Sequence, residues 1–279
     1  MAIPRLTQAG IAKLLNITYP PIAYEYIAYF PLLGVILGLI IGSFLATLIV
    51  RWPEGKSVMT GRSHCDSCGT TLGAADLIPI VSFLVRRGNC RKCGAKIDSD
   101  HLAIELVSGL IGGLALFVEP NLGGLFGAIF GWLLLTLAAL DAKHHWLPDR
   151  LTFLLAIGGL VAALFVGQPD IQARLLGGIS GFLALFLIGW TYKRLRGVDG
   201  LGGGDPKLLG AIGCWLGWAA LPIVILVAAT VGLLSVFIRL LRGQAVAADS
   251  ALPLGIFMAI AAFPIWLMQG APGLLDALL

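Results

Sequence analysis

The sequence has 279 residues, of which 58% are hydrophobic and 12% are charged, whereas soluble domains carry about 25% charged residues. This composition excludes a disordered chain and argues against a soluble enzyme, because too few polar side chains remain to cover a soluble surface. The net charge of +4 is small and by itself implies no nucleic-acid partner. We therefore predict an all-α polytopic membrane protein in a lipid bilayer.

Residues 1–29 precede the first long apolar run, and we interpret them as an outer arm. A cleaved signal peptide is a poor alternative, because Pro20 and Pro21 interrupt any apolar core and Glu25 lies inside the segment.

The membrane helices are predicted from apolar runs near the length of about 20 residues that a bilayer crossing requires. We expect about eight transmembrane helices: the first over 30–50, and seven more in a membrane domain over 102–279. Those seven lie at 102–118, 121–140, 151–167, 174–192, 207–220, 221–239 and 252–269. The divisions beside Pro120 and Pro222 are weak, so seven helices is the alternative.

The distribution of Lys and Arg predicts how these helices are oriented. With eight helices, 16 of the 19 positive charges fall in four loops on one side, and Arg5, Lys13 and Arg174 fall on the other. Fusing either weakly divided pair would place basic loops on opposite sides. The positive-inside rule therefore favours eight helices, with both termini outside and with the basic loops, including segment 51–101, in the cytosol.

Four of the five cysteines form two matched pairs in that cytosolic segment. Cys65 and Cys68 form one Cys-x-x-Cys pair, and Cys90 and Cys93 form the other, with 21 residues between them. This spacing predicts a closed, tetrahedral thiolate site for one structural Zn²⁺ per chain. Four unrelated buried cysteines and a redox pair are the alternatives. Cys214 is interpreted as a packing residue.

Acidic residues are costly in membrane helices, so they mark candidate functional positions. Asp141 follows the apolar run at 121–140 and Asp205 precedes that at 207–220, which places both on the same predicted membrane face. Two converging carboxylates can share one proton, so that one activates water while the other donates to a carbonyl, as in aspartic proteolysis. Gly202 and Gly204 would permit close approach of an extended peptide.

Helix capping competes with a catalytic role for Asp149 and Asp205, because both lie near predicted helix starts. Capping does not explain Asp141, which ends a helix, where negative charge is unfavourable. Glu105 lies just inside the second helix and faces either the bundle interior or the interface. Lys207 either snorkels towards the interface or contacts a substrate carboxylate.

Four stretches of the sequence together resemble the type IV prepilin peptidases, which are bifunctional leader peptidases and N-methyltransferases. The resemblance covers about residues 34–268. It includes a Gly-x-Gly-Asp motif shared with other intramembrane aspartyl proteases, which is a weak signal alone and a very specific one together with the Asp141 segment and the two cysteine pairs. The stretches are Gly38–Leu45 with Arg51-Trp52-Pro53; the two cysteine pairs with Asp76-Leu77-Ile78-Pro79 and Arg87-Gly88-Asn89 between them; Leu140-Asp141 with Leu147–Thr152; and Gly200–Leu209 with Trp215–Trp218.

The resemblance implies that Asp141 and Asp205 are the catalytic pair of an enzyme of the bacterial inner membrane. Its substrates would be prepilins and pilin-like subunits of type II secretion, cut after a glycine at the cytosolic membrane face. The new N-terminus would then be methylated with S-adenosylmethionine, a step linked in the family to the zinc segment. We expect five residues to support the catalytic pair: Gly202, Gly204, Lys207, Asp149 and Glu105.

The sequence departs from the family pattern at two places. Ala46 stands where the family usually has Asn, and the late Pro-Phe-Gly-Pro-type segment reads Leu252-Pro253-Leu254-Gly255-Ile256. Neither change touches the two aspartates. From the residues alone, an ion-coupled transporter with membrane acids as a proton relay and a non-catalytic zinc-containing scaffold are the competing function classes.

Overall fold

The computed structural model describes residues 29–58, 63–65, 67–243 and 254–271. The predicted outer arm, apart from Tyr29, lies outside the described residues. Within the described ranges the protein is helical, and its β-structure is limited to two isolated bridges. The helices are α1 Phe30–Arg51, α2 Val81–Val85, α3 Ser99–Val118, α4 Leu122–His144, α5 Asp149–Ala162, α6 Ile171–Arg196, α7 Asp205–Leu216, α8 Leu221–Leu241 and α9 Leu254–Gly270, with 3-10 turns at Ala74–Leu77 and Trp218–Ala220.

Five helical stretches of the described chain are long and apolar enough to cross a membrane, which identifies a multi-pass membrane protein. They are α1, α3, α4, α6 and the continuous stretch Trp218–Leu241 that includes α8. The other three predicted spans correspond to α5, α7 and α9, which have 14, 12 and 17 residues. At about 1.5 Å per residue, α7 extends about 18 Å, less than the ~30 Å of a bilayer core. Eight complete crossings are therefore not confirmed.

The weak division beside Pro120 is present, whereas the one predicted beside Pro222 is displaced to Gly217. The helix α3 ends at Val118 and α4 begins at Leu122. The second division falls at Gly217, whose φ of +76° ends α7 in a backbone conformation that side chains disfavour. These breaks confirm that the paired apolar runs form separate helices.

The helix α7 is enclosed by other helices. Every residue in it except Lys207 is buried, and it packs against α5, α6, α8 and α9. Its closest approach is to α6, where a Cβ atom added to Gly213 would lie 2.2 Å from the carbonyl oxygen of Gly177. Small residues allow helix backbones to approach this closely in membranes. The helix that begins with Asp205 is thus held by its neighbours on several sides.

The chain divides into two compact units between Trp132 and Leu133. In the first unit, α1 and α3 pack through a seam of small residues. A Cβ atom at Gly38 would lie 2.2 Å from the carbonyl oxygen of Ser108, and one at Gly42 would lie 2.8 Å from Cα of Glu105. This close contact places Glu105 against the C-terminal half of α1, which the charge pattern predicts to be the cytosolic half.

In the second unit, Arg174 occupies an interior position. Its side chain is only 3% exposed. The guanidinium donates to the carbonyl oxygens of Gly159 in α5 at 2.9 Å and Cys214 in α7 at 3.4 Å. It also donates to Pro169 at 2.8 Å and Gln168 at 3.3 Å in the preceding loop. The count of positive charges assigned Arg174 to a loop. Its hydrogen bonds instead connect α5 and α7 to the start of α6.

Candidate active site and metal centre

Asp141 is buried at the C-terminal end of α4, with 6% of its surface exposed. Its Oδ2 atom accepts a 3.1 Å hydrogen bond from the backbone amide of Ile256, in the first turn of α9. A Cβ atom added to Gly255 would lie 2.6 Å from the same oxygen. The start of α9 thus presents a backbone donor, with no intervening side chain, to the carboxylate.

Asp205 is the first residue of α7 and is 7% exposed. Its Oδ2 accepts a 3.1 Å hydrogen bond from the amide of Gly202, so the carboxylate turns back towards the glycine loop. Gly204 precedes the helix as its cap, one position before the Asp205 cap considered from sequence. The described carboxylate contact is therefore to the loop, which distinguishes Asp205 from an ordinary N-cap.

The two aspartates interact electrostatically. Burial, and then the nearby charge of Asp141, raise the pKa of Asp205 to about 6. The side chain of Leu147 lies between the two backbone segments that surround the acids: hypothetical Cβ atoms at Gly204 and Gly255 would contact it at 2.7 and 3.1 Å. The structure therefore brings together the pair of acids that the sequence singled out.

The supporting residues separate into different environments. Lys207 Nζ forms a 2.6 Å ion pair with Asp149 Oδ1, and both side chains are exposed. Asp149 begins α5, with Pro148 as the cap residue before it. A Cβ atom added to Gly202 would lie 3.0 Å from Asp205 Oδ2, and one added to Gly204 would lie 2.7 Å from Leu147 Cβ.

Glu105 belongs to the first unit and is 7% exposed, so it faces the interior. Its Oε2 accepts a 2.8 Å hydrogen bond from the amide of Ile80. Ile80 has a φ of +60°, a conformation that is a clear outlier for a β-branched residue. The two alternatives for Glu105 are thus resolved in favour of an inward orientation beside a strained turn.

Sequence reasoning did not assign the roles of Gly255, Ile256 and Leu147. Ile256 acts through its backbone amide, Gly255 through its lack of a side chain, and Leu147 through packing. None of these functions requires a chemically distinctive side chain. The only available signal was the position of Gly255 and Ile256 in a segment that departs from the family pattern.

The four paired cysteines converge on one point. The Sγ atoms of Cys65, Cys68, Cys90 and Cys93 all lie within 4.8 Å of one another, and those of Cys65 and Cys93 are 4.0 Å apart. A tetrahedral site with Zn–S bonds of about 2.3 Å has sulfur atoms about 3.8 Å apart. The donor set therefore fits a Zn²⁺ ion with four thiolate ligands and no open position.

The two cysteine loops have the same backbone design. In each, the first cysteine and the residue after the glycine are hydrogen-bonded, and the glycine adopts a positive φ that turns the loop. Beside the second cysteine of the first loop, Cys68 Sγ lies 3.2 Å from the hydroxyl oxygen of Thr70. The paired contacts are Cys65 N to Thr70 O and Gly69 N to Cys65 O in the first loop, and Cys90 N to Ala95 O and Gly94 N to Cys90 O in the second.

Two family profiles match the chain. The bacterial peptidase A24 N-terminal domain matches residues 36–118, and the type IV leader peptidase family matches residues 128–237. The first match contains the four clustered cysteines and Glu105, and the second contains Asp141 and Asp205.

Several relatives are similar over most of their length, and each is named "Prepilin leader peptidase/N-methyltransferase". One from Burkholderia pseudomallei (strain 1026b) is 36% identical over 81% of this chain and 81% of its own. One from Aeromonas hydrophila is 35% identical, with coverages of 80% and 85%. One from Neisseria gonorrhoeae is 34% identical, with coverages of 76% and 83%. No solved structure matches the chain.

Proposed function

Because the chain belongs to the type IV leader peptidase family, we propose that it removes the basic leader from prepilins and pilin-like secretion subunits and methylates the new N-terminus. The family assignment favours this bifunctional enzyme over the ion-coupled transporter and the non-catalytic scaffold. Its location would be the bacterial inner membrane, with the active site and the zinc segment facing the cytosol, as the positive-inside rule favours.

The observation that carries the peptidase proposal is the buried pair formed by Asp141 and Asp205. With its pKa raised to about 6, Asp205 is the better carrier of the proton that the pair shares. Asp141 accepts from the amide of Ile256 at the start of α9, where positive helix dipole favours a carboxylate. We therefore assign Asp141 as general base and Asp205 as general acid.

In the proposed cleavage, water attacks the carbonyl carbon of the leader's last residue. Asp141 takes a proton from the water while Asp205 donates its proton to the carbonyl oxygen, giving a neutral tetrahedral species. When this species collapses, the C–N bond breaks and the departing amine receives the proton held by Asp141. At the same time Asp205 takes back a proton from one hydroxyl of the tetrahedral species, which leaves as the carboxyl group of the leader. The exposed Lys207 and Asp149 side chains lie near this end of α7 and are proposed to contact charged groups of the substrate.

Methylation would use S-adenosylmethionine, which supplies an activated methyl group. The substrate's amino group, once deprotonated, would accept this methyl group, and the electrons of the broken S–C bond would stay on sulfur. We assign this step to the part of the chain that includes segment 51–101. There the four thiolates would hold one Zn²⁺ ion and stabilise a segment too small to build its own core.

The peptidase proposal is tested with purified enzyme and a prepilin in detergent, comparing Asp141→Asn and Asp205→Asn with Asp199→Asn. Asp199 is a suitable control because its exposed carboxylate pairs with Lys193 at 2.8 Å. Each active-site variant should lose leader removal, whereas the control should cleave normally. Cleavage that persists in Asp205→Asn would overturn the assignment.

A further inference from the structure

A cavity of about 300 Å³ lies within the first unit, beneath the cysteine loops. Its volume is at the lower end of the range of small-molecule sites, about 300 to 1,000 Å³. Four parts of the chain line it: the C-terminal half of α1, both cysteine loops, the segment around α2, and the first turns of α3. Residues distant in sequence therefore converge on one cavity that the peptidase chemistry does not use.

Two oppositely charged side chains line the cavity and are buried. Arg51 is 9% exposed and Glu105 is 7% exposed. Burying a charged side chain is costly because of its desolvation, so such a side chain has a partner in the protein, serves a ligand, or both. Glu105 accepts from the amide of Ile80, and a carboxylate has acceptor sites beyond that one hydrogen bond. The cavity thus offers both signs of charge in a partly dehydrated space.

The cavity wall is also tied to the metal centre. Arg51 donates a 3.1 Å hydrogen bond to the carbonyl oxygen of His64, the residue before Cys65. Cys65 and Cys90 themselves contribute to the lining. On the other side, Glu105 holds the strained turn at Ile80, and strain of this kind concentrates at functional sites. The shape of the cavity therefore depends on the ordered cysteine loops.

We propose that this cavity binds S-adenosylmethionine, with Glu105 facing a positive centre of the ligand; the inference rests on the proposed methyltransferase function. The ligand carries a cationic sulfonium, an α-ammonium and a carboxylate, together with a flat purine. Glu105 and Arg51 match its charges of both signs, and the cavity wall includes the aromatic ring of Phe83 and the apolar Leu77 for the purine. This assigns a ligand role to Glu105 that the aspartate chemistry does not provide.

The experiment measures equilibrium binding of S-adenosylmethionine to the purified full chain in detergent by titration calorimetry. Glu105→Gln should weaken binding by about tenfold or more, because a hydrogen bond or ion pair to a charged group is lost. The matched control is Glu54→Gln, which changes an exposed glutamate paired with Lys56 and absent from the cavity lining. The control should bind as the unaltered chain does.

A second variant keeps the inference testable if Glu105→Gln fails to fold. Thr47 lines the cavity, and its hydroxyl donates within its own helix to the carbonyl of Ser43. Thr47→Phe should fill the cavity and weaken binding by about tenfold or more. Bound zinc should be unchanged in each properly folded variant, which separates loss of the ligand site from loss of structure.

Two results would overturn the inference. The first is unchanged S-adenosylmethionine affinity in Thr47→Phe and in folded Glu105→Gln. The second is unchanged affinity accompanied by a raised KM for the cleaved pilin, which would assign the cavity to the substrate's N-terminus. By contrast, an unaltered chain that binds S-adenosylmethionine yet leaves prepilin uncleaved and unmethylated would refute the proposed function and leave the binding site standing.

Discussion

The backbone amide of Ile256 donates a hydrogen bond of 3.1 Å to Oδ2 of Asp141, which connects the start of α9 to the end of α4. The contact directs one oxygen of the carboxylate towards the backbone and leaves the other for chemistry. It also explains why glycine precedes Ile256: a side chain at Gly255 would meet the same oxygen.

We predict that Gly255→Ala lowers the kcat of prepilin cleavage by at least about tenfold. The new Cβ would lie 2.6 Å from Asp141 Oδ2, so the carboxylate must move, and small displacements of catalytic groups have large effects on rate. Gly203→Ala is the matched control, since a Cβ there meets no atom within 4 Å. Equal kcat values for the two variants would show that the position of Asp141 is not set by this contact.

Asp205→Asn should stabilise the folded protein at neutral pH although it abolishes cleavage. The folded-state pKa of Asp205 is about 6, above the value of 3.8 expected when unfolded, so ionisation at neutral pH disfavours folding. This difference corresponds to up to about 3 kcal/mol, fully present above pH 6 and absent below about pH 4. Thermal unfolding in detergent should show the gain shrinking as pH falls from 7 to 4; a gain independent of pH would contradict it.

Arg174→Met should destabilise the protein by at least about 2 kcal/mol, because buried carbonyl groups at the ends of α5 and α7 lose their donor. Arg150→Met is the control, since Arg150 is exposed. Thermal unfolding reports the difference, and cleavage at low temperature should be retained by both. A melting temperature shared by the two variants would mean that the interior contacts of Arg174 add no net stability.

The Cys65→Ser/Cys68→Ser double variant should lose zinc, of which the unaltered chain should hold about one ion. Cys214→Ser is the control, because this cysteine is buried elsewhere and is not part of the sulfur cluster. Elemental analysis measures the metal. Methylation should fall more than cleavage, since the cysteine loops and Asp205 belong to different compact units. An equal loss of both activities would argue against this division of labour.

Lys207→Met should raise the KM for prepilin while changing stability by less than about 1 kcal/mol. Its ion pair with Asp149 is exposed, and such pairs contribute little to folding. Steady-state kinetics and thermal unfolding on the same preparation separate the two effects. An unaltered KM would show that Lys207 does not contact the substrate.

The sequence was most informative where chemistry requires a particular side chain. The spacing of Cys65, Cys68, Cys90 and Cys93 predicted their convergence, because two Cys-x-x-Cys pairs at such a spacing can supply all four ligands of a closed zinc site. Asp141 stood out because a carboxylate at the end of an apolar helix is energetically unfavourable. The structure agrees with the convergence in both cases.

The sequence was less informative about helix length and backbone contacts. The apolar run over 207–220 predicted a crossing, yet α7 stops at Leu216 and is enclosed by other helices. Apolarity alone cannot distinguish a helix that faces lipid from one buried in protein. Likewise, Ile256 carries no signal of its own, since its contribution is a backbone amide that any residue except proline possesses.

The most direct test is mass spectrometry of a prepilin after incubation with the purified enzyme, with and without S-adenosylmethionine. The unaltered chain should yield a product lacking the leader in both reactions, and one heavier by a single methyl group only when S-adenosylmethionine is present. Asp205→Asn should leave the prepilin intact. Leader removal by Asp205→Asn at the unaltered rate would contradict catalysis by the Asp141 and Asp205 pair.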